Sequence, residues 1–362
     1  MYFVKGLAAI SLSFAMSSVG AIEVDKKATI KDTTTTIKGV NHIGISVVDL
    51  DKVLAFYQDA TNFELIKRET VKGNSTADKL YGRKGVEYEV ATLKAPNMLF
   101  ELTAFKHNHD AKISTMPVIG PGMTHTCFQS PKNNSSFDKF VKAGIDVLSR
   151  KNKPVDLGGY GVTYAYGYDP EGNMVELEQL DGEILARSGY DTTWADLGLD
   201  MWMTQVALVT HDIEALMGYY QSILGIKPYR TGAYEDKPKL DELIDIDNTS
   251  LLGGWFKMDQ KSKVMEFWQY RNPVTPKNTI VRQTTDLGYS FSFEVADIQQ
   301  EYSRLKAQGV DFVSKPQLMG EFWQVFARDP DSNIYSLRQP VNPQSTYSTN
   351  SFGLDKAASQ KK

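Results

Sequence analysis

At 362 residues the chain is long enough for two ordinary domains. Apolar residues make up 41% and charged residues 23%, the composition of a folded globular protein. The formal net charge of −4, from 40 basic and 44 acidic residues without a basic block, argues against nucleic acid as a partner.

The chain opens with the pattern of a secretory signal, Met1–Ala21. Lys5 gives a short positive region, Gly6 to Ala15 is apolar, and Val19-Gly20-Ala21 fits a small-x-small cleavage site. The protein is therefore expected to be exported, periplasmic or secreted, and free of the membrane once the signal is cleaved. No other stretch approaches a transmembrane span. Residues 22–38 form an N-terminal extension. With one cysteine, Cys127, the chain forms no intrachain disulfide, so its stability must come from core size and metal binding.

The body of the chain repeats itself four times. Val40–Tyr57, Met203–Tyr220 and Gly288–Leu305 each read as an alternating strand, an Asp and an amphipathic helix. Met123–Gly144 is a further copy, second in chain order, with a Ser-Pro turn where the others have Asp. In the first copy Ile43, Ile45 and Val47 alternate with His42, Gly44 and Ser46, the period of a half-buried strand. Asp49 can cap the next helix, where Leu50, Val53, Leu54 and Tyr57 follow helical spacing. Asp212 precedes Ile213, Leu216, Met217 and Tyr220 in the same way. Glu87–Leu93 and Met98–Phe105 read as a hairpin. In the even-numbered copies, Asp169-Pro170-Glu171-Gly172-Asn173 and Asp329-Pro330-Asp331-Ser332-Asn333 are matching turn signals before a last strand. Residues 181–200 are polar and read as a linker between halves 39–180 and 201–340. Residues 341–362 are polar and aperiodic, the pattern of a disordered tail.

Chemistry concentrates at equivalent positions of the first two copies. His42 and His125 lie in first strands, Glu101 and Glu176 in last strands. Alternation sends each away from the helix-packed side, since Phe100 and Leu102 flank Glu101 and Val175 and Leu177 flank Glu176. Two imidazoles and two carboxylates meeting on a concave sheet face would suit one divalent metal ion. Cys127 and Glu178 share that face. Cys127 reads as a small buried apolar residue, and Glu178 as either a plain strand residue or a base. Gly44 leaves room for a ligand. His107 and His109 read as a solvated loop, and His211 as a helix-start residue without a role.

These strands and motifs, above all His-Ile-Gly-Ile-Ser-Val-Val-Asp and Asp-Pro-Glu-Gly-Asn-Met-Val-Glu-Leu, resemble the vicinal-oxygen-chelate superfamily, which includes glyoxalase I, extradiol dioxygenases and fosfomycin- and bleomycin-resistance proteins. The resemblance runs from about Gly39 to Pro340. It implies an α+β fold of four βαβββ modules paired into two domains, with His42, Glu101, His125 and Glu176 as ligands to one ion of Zn, Ni, Mn, Fe or Co. It implies a lyase or isomerase of glyoxalase type acting on a small oxygenated substrate through a metal-stabilised enediolate. Glu176 is then the first candidate for the base and Glu101 the second. One alternative is an Fe or Mn extradiol-type dioxygenase using His42, His125 and Glu176; another is a non-catalytic small-molecule-binding protein. In the second half Gln205, Glu266, Ser290 and Ser336 stand at the four equivalent positions, which reads as a metal-free domain. A small molecule is the expected partner, and a homodimer is compatible with the pattern.

Overall fold

The structure is a computed structural model that describes residues 35–354 except 191 and 259–263. The expected signal at 1–21 and most of the extension at 22–38 lie outside the described residues. No helix among those described is long and apolar enough to cross a membrane.

Four modules follow one another. The first contains β1 (Ile37–Val47), α1 (Leu50–Thr61), β2 (Glu64–Val71), α2 (Ser75–Tyr81), β3 (Tyr88–Lys94) and β4 (Leu99–Phe105). The second contains β5 (Gly122–His125), β6 (Cys127–Pro131), α3 (Ser136–Ala143), β7 (Asp146–Val147), β8 (Val155–Asp156), β9 (Val162–Tyr168) and β10 (Met174–Leu180). Two short helices, α4 (Gly182–Arg187) and α5 (Thr193–Asp196), occupy the expected linker. The third contains β11 (Trp202–Met203), β12 (Gln205–Val209), α6 (Ile213–Leu224), β13 (Arg230–Tyr234), α7 (Pro238–Ile244), β14 (Ser250–Lys257) and β15 (Val264–Asn272). The fourth contains β16 (Gly288–Val295), α8 (Ile298–Ala307), β17 (Asp311–Phe312), β18 (Gln317–Met319), β19 (Phe322–Arg328) and β20 (Ile334–Pro340).

Local chemistry sets these boundaries. Asp49, Asp212 and Asp297 each accept a backbone N–H of the first helical turn, so the repeated aspartate caps its helix in all three odd and final copies. In the second module Ser135 does this work instead. Asp169 and Asp329 each fold the turn before the last strand by accepting from two backbone N–H groups. Each also accepts a buried tyrosine hydroxyl from a preceding module, Tyr57 at 3.0 Å and Tyr220 at 2.8 Å.

Helices pack the two modules of one half together, whereas strands join modules of different halves. Phe56 of α1 meets Phe140 of α3 at 5.7 Å between ring centres, and Tyr57, Phe100 and Phe128 complete that aromatic core. The sheets run the other way. β1 pairs with β16, so modules one and four share a nine-stranded sheet in the order β17-β19-β20-β16-β1-β4-β3-β2, with β18 added on β19. β5 pairs with β12 and β6 with β11, so modules two and three are joined as well. Their first strands are broken at Thr126 and Thr204, which divides the joint surface into a five-stranded and a six-stranded sheet. Thr126 stitches the break by donating its hydroxyl to the Gln205 carbonyl at 2.8 Å.

The α+β fold of paired modules is what the repeat implies. The expected disordered tail requires a correction over its described part. Residues 341–354 pack on the module-one edge, with Phe352 and Leu354 buried. Glu294 accepts from Ser348 Oγ and Thr349 N, and Asn41 donates to the Tyr347 carbonyl. The segment is polar because it satisfies buried polar groups, a role that composition does not distinguish from disorder.

Candidate metal centre between the two halves

The strand pairing decides which polar side chains meet. In modules two and three, His125, Ala207 and Glu266 stand side by side across β5, β12 and β15. Gln205 lies two residues along β12, on the same face. Glu176 of β10 is paired with Cys127 and donates its backbone N–H to Thr126, bringing it to the same break. His125 Nε2 is 3.4 Å from Glu266 Oε2 and 3.7 Å from Glu176 Oε2.

All four side chains are buried, and each has one polar atom without a hydrogen-bond partner: His125 Nε2, Glu176 Oε2, Gln205 Oε1 and Glu266 Oε2. Leaving one buried polar atom unsatisfied costs about 1–3 kcal/mol, and more for a charged one. Four in one cluster, all able to donate an electron pair, make a donor set that fits a cation. Their other atoms are held. Thr124 Oγ1 is 3.0 Å from His125 Nδ1, fixing the ring so that Nε2 faces the cluster. Trp255 Nε1 donates to Glu266 Oε1 at 2.7 Å, leaving Oε2 free.

Electrostatics point the same way. Burial pushes the Glu176 carboxyl well above its usual range, and the neighbouring Glu178 and Glu266 push it further. A divalent cation would relieve that crowding, and two carboxylates, one imidazole and one amide would neutralise it. Behind the cluster, Glu178 is raised to about 8, chiefly by burial, and accepts from Gln129, whose carbonyl oxygen takes the Trp202 indole N–H at 2.7 Å. Burial also pushes the Cys127 thiol up, and the neighbouring Glu178 and Glu176 push it the same way, so this cysteine is a protonated core group.

His42 and Glu101 are in the other sheet and do not join this cluster. The four residues expected around one ion are thus divided between two places, because sheets are shared by modules one and four and by modules two and three, not within each half. For the same reason the C-terminal half is not empty: it supplies Gln205 and Glu266. Sequence comparison of the copies finds both positions; the topology that makes them partners of His125 and Glu176 is what it lacks.

In modules one and four the equivalent row is Ser290, Gly44 and Glu101, with His42 two residues along β1. A cation is already built in. Arg338 of β20 makes a two-pronged ion pair with Glu101, at 2.7 and 3.0 Å. Arg338 stands two residues beyond Ser336, as Glu178 stands two beyond Glu176. His42 Nε2 is 3.4 Å from Glu101 Oε2, and its Nδ1 is 3.1 Å from Asn41 Oδ1. Burial and the Arg338 charge lower the His42 pKa to about 3, so the ring is neutral. Gly44 lines a small cavity of about 40 Å³, and a Cβ there would lie 2.7 Å from Ser290 Oγ. His211 starts a helix as expected, with Nδ1 2.7 Å from the Thr275 carbonyl.

Comparison with known proteins agrees with this architecture. Residues 39–177 and 204–348 each match the glyoxalase/bleomycin resistance protein/dioxygenase superfamily, and the chain belongs to that superfamily. Among solved structures it is similar to glyoxalase I from Zea mays, with a TM-score of 0.55 at 19% identity over 88% of this chain and 95% of that one. It is as similar to a putative dioxygenase from Bacillus subtilis, with a TM-score of 0.56 at 11% identity over 88% and 91%. No curated protein matches in sequence.

Proposed function

We propose that this protein is a divalent-metal-dependent lyase or isomerase of glyoxalase type, with His125, Glu176, Gln205 and Glu266 holding the metal. The observation that carries the reading is the set of four buried, partnerless donor atoms, one from each residue, at a junction of two modules. A divalent ion bound there would polarise neighbouring substrate oxygens and acidify the C–H beside them.

The chain's own groups supply the proton transfer. Glu176 is the candidate base among the ligands, since Trp255 anchors Glu266 through its other oxygen and leaves it less free to move. Glu176 would take the proton from the hydroxyl-bearing carbon next to a carbonyl and return it to the former carbonyl carbon, while the hydroxyl proton passes to the former carbonyl oxygen, so that the substrate is isomerised without net oxidation. Tyr166, packed edge-on to His125 at 5.0 Å, and the Trp255–Trp268 pair enclose the cluster in aromatic surface that excludes water. Glu101, the second choice for the base, is neutralised by Arg338 and lies in the other sheet.

The extradiol dioxygenase alternative uses two imidazoles and one carboxylate on the metal with positions left for substrate and oxygen. The cluster instead offers one imidazole, two carboxylates and an amide. The test is elemental analysis of native protein and of Glu266→Gln, with α-hydroxycarbonyl compounds and thiol hemiacetals followed by NMR in deuterated water. One bound ion, lost in the variant, and metal-dependent deuterium entry at the carbon beside the carbonyl are expected. Stoichiometric metal persisting in Glu266→Gln, or oxygen uptake with a catechol in place of proton exchange, would overturn the proposal.

A further inference from the structure

A pair of cavities surrounds Arg282. One, of about 40 Å³, reaches from His42 and Ser290 to Arg282. The other, of about 230 Å³, opens between the loop bearing Lys112 and the turn at Gly172. Ser46, Arg282 and Gly288 line both, so the two adjoin at Arg282 and together make one chamber of mixed polar and apolar lining. The larger part alone has room for several waters or one small organic molecule.

Arg282 has no direct ion-pair partner, although Asp286 and Asp329 favour its charge from farther off. Its two terminal nitrogens donate to the carbonyls of Tyr289 and Leu287, at 2.8 and 3.0 Å, which fix the guanidinium without cancelling its charge. Among the described residues no carboxylate lies within ion-pair distance of it. The nearby acids are held off Arg282 by neutral backbone donors: Asp286 accepts from Gln283 N at 2.7 Å, and both Glu171 oxygens accept from backbone N–H groups of Val48 and Asp49. A half-buried cation with no direct ion-pair partner remains able to take an anion. Ser46 Oγ, facing the same chamber, is nine-tenths buried and has no hydrogen-bond partner. Lys112 adds a second cation at the exposed mouth.

The internal repeat shows that this polar lining is not a demand of the fold. Ser46 stands three residues before the capping Asp49, and Val209 stands three before the capping Asp212. Val209 is buried against Gly120, where a Cβ would come within 2.6 Å of it. Eight residues before Ser290 is Arg282; eight before His125 is Pro117. Val209 thus closes the sister location against Gly120, whereas Ser46 here faces open space, and Pro117 instead lines the larger cavity beside it.

We propose that the chamber binds a small organic acid, with its oxyanion on Arg282 and Ser46 and its body in the larger cavity. This site is independent of the metal-centre reading, so failure of one leaves the other standing. The test titrates purified full-length protein with succinate, benzoate and inorganic phosphate, each against sodium chloride of equal ionic strength, by calorimetry and thermal unfolding. At least one carboxylate is expected to bind and to raise the unfolding midpoint. Phosphate binding more tightly than either carboxylate would reassign the ligand to a phosphate and overturn the organic-acid proposal. Arg282→Met should weaken binding by roughly tenfold or more, the worth of a charge-assisted pair. Ser46→Val, which copies the sister position and so should fold, is expected to weaken it by a smaller factor, while Glu266→Gln leaves it unchanged. No carboxylate binding by the wild type, or wild-type affinity in both Arg282→Met and Ser46→Val, would overturn the assignment.

Discussion

Arg338 and Glu101 form a two-pronged ion pair at the position where, in the other sheet, Glu266 faces His125 with a free oxygen. The guanidinium is buried, stacked 4.0 Å over the Phe322 ring, and also donates to Gln324. Two equivalent places in one fold have therefore met the same carboxylate with different cations, one covalently attached and one expected from solution. Removing one member of a buried pair leaves the other uncompensated, at a cost of about 3–5 kcal/mol. Arg338→Met is expected to lose stability on that scale in urea denaturation. Adding Glu101→Gln to it should restore much of the loss. A double variant as unstable as the sum of the two singles would show that the two side chains do not act as a pair.

The same locus predicts acid sensitivity. Burial and Arg338 lower the His42 pKa to about 3, below the ordinary 6.5. Burial raises the Glu101 carboxyl, but Arg338 and His42 outweigh it and bring it down to about 2. Both folded values lie below the unfolded ones, so the unfolded chain binds more protons as pH falls. The stability contributed is complete above pH 6.5 and is lost as pH drops toward 3 for His42, and from about 4.5 toward 2 for Glu101. His42→Gln is expected to flatten the fall in unfolding midpoint between pH 6.5 and 4. A variant with the same slope as wild type over that window would show that His42 does not titrate as described.

Much of this was legible before any coordinates. The repeat, the capping aspartates, the alternation that turns His42 and Glu101 to one face, and the match of Gln205 and Glu266 to the positions of His42 and Glu101 are all local patterns. What sequence does not carry is which strands share an edge. Hydrophobic period specifies that β1 and β16 each bury one face, but the β1–β16 and β5–β12 pairings span large sequence separations and leave no periodic mark. One unspecified pairing moved the metal ligands from one half to the junction of both. Arg338 was invisible for a related reason: an arginine two residues after Ser336 looks like a solvated strand residue until Glu101 is placed beside it.

The two buried aspartates offer a test of the repeat as a structural unit. Asp329, raised by burial to about 6, accepts the Tyr220 hydroxyl, and Asp169 accepts that of Tyr57. Tyr220→Phe and Tyr57→Phe remove one donor each from a buried carboxylate. Each is expected to cost about 1–3 kcal/mol in urea denaturation, and with no shared partner the two should add. A loss near zero in either would mean that water replaces the hydroxyl and that the tyrosine acts only as core.

The division of the histidines between two sites gives the sharpest contrast. If a divalent ion sits at His125, Glu176, Gln205 and Glu266, it binds the folded chain alone and stabilises it, by about 2.7 kcal/mol when free metal is a hundred times its dissociation constant. Chelation is then expected to lower the unfolding midpoint of wild type, and re-addition of metal to restore it. His42→Ala should keep that response, although its own midpoint is lower, because His42 sits beside Arg338 in the other sheet. His125→Ala should lose the response, since removing the only imidazole leaves two carboxylates and an amide. The comparison uses the difference between chelated and metal-loaded protein within each variant, so general destabilisation by either alanine cancels. A response lost in His42→Ala and kept in His125→Ala would move the ion to modules one and four, against the ion pair that already fills them.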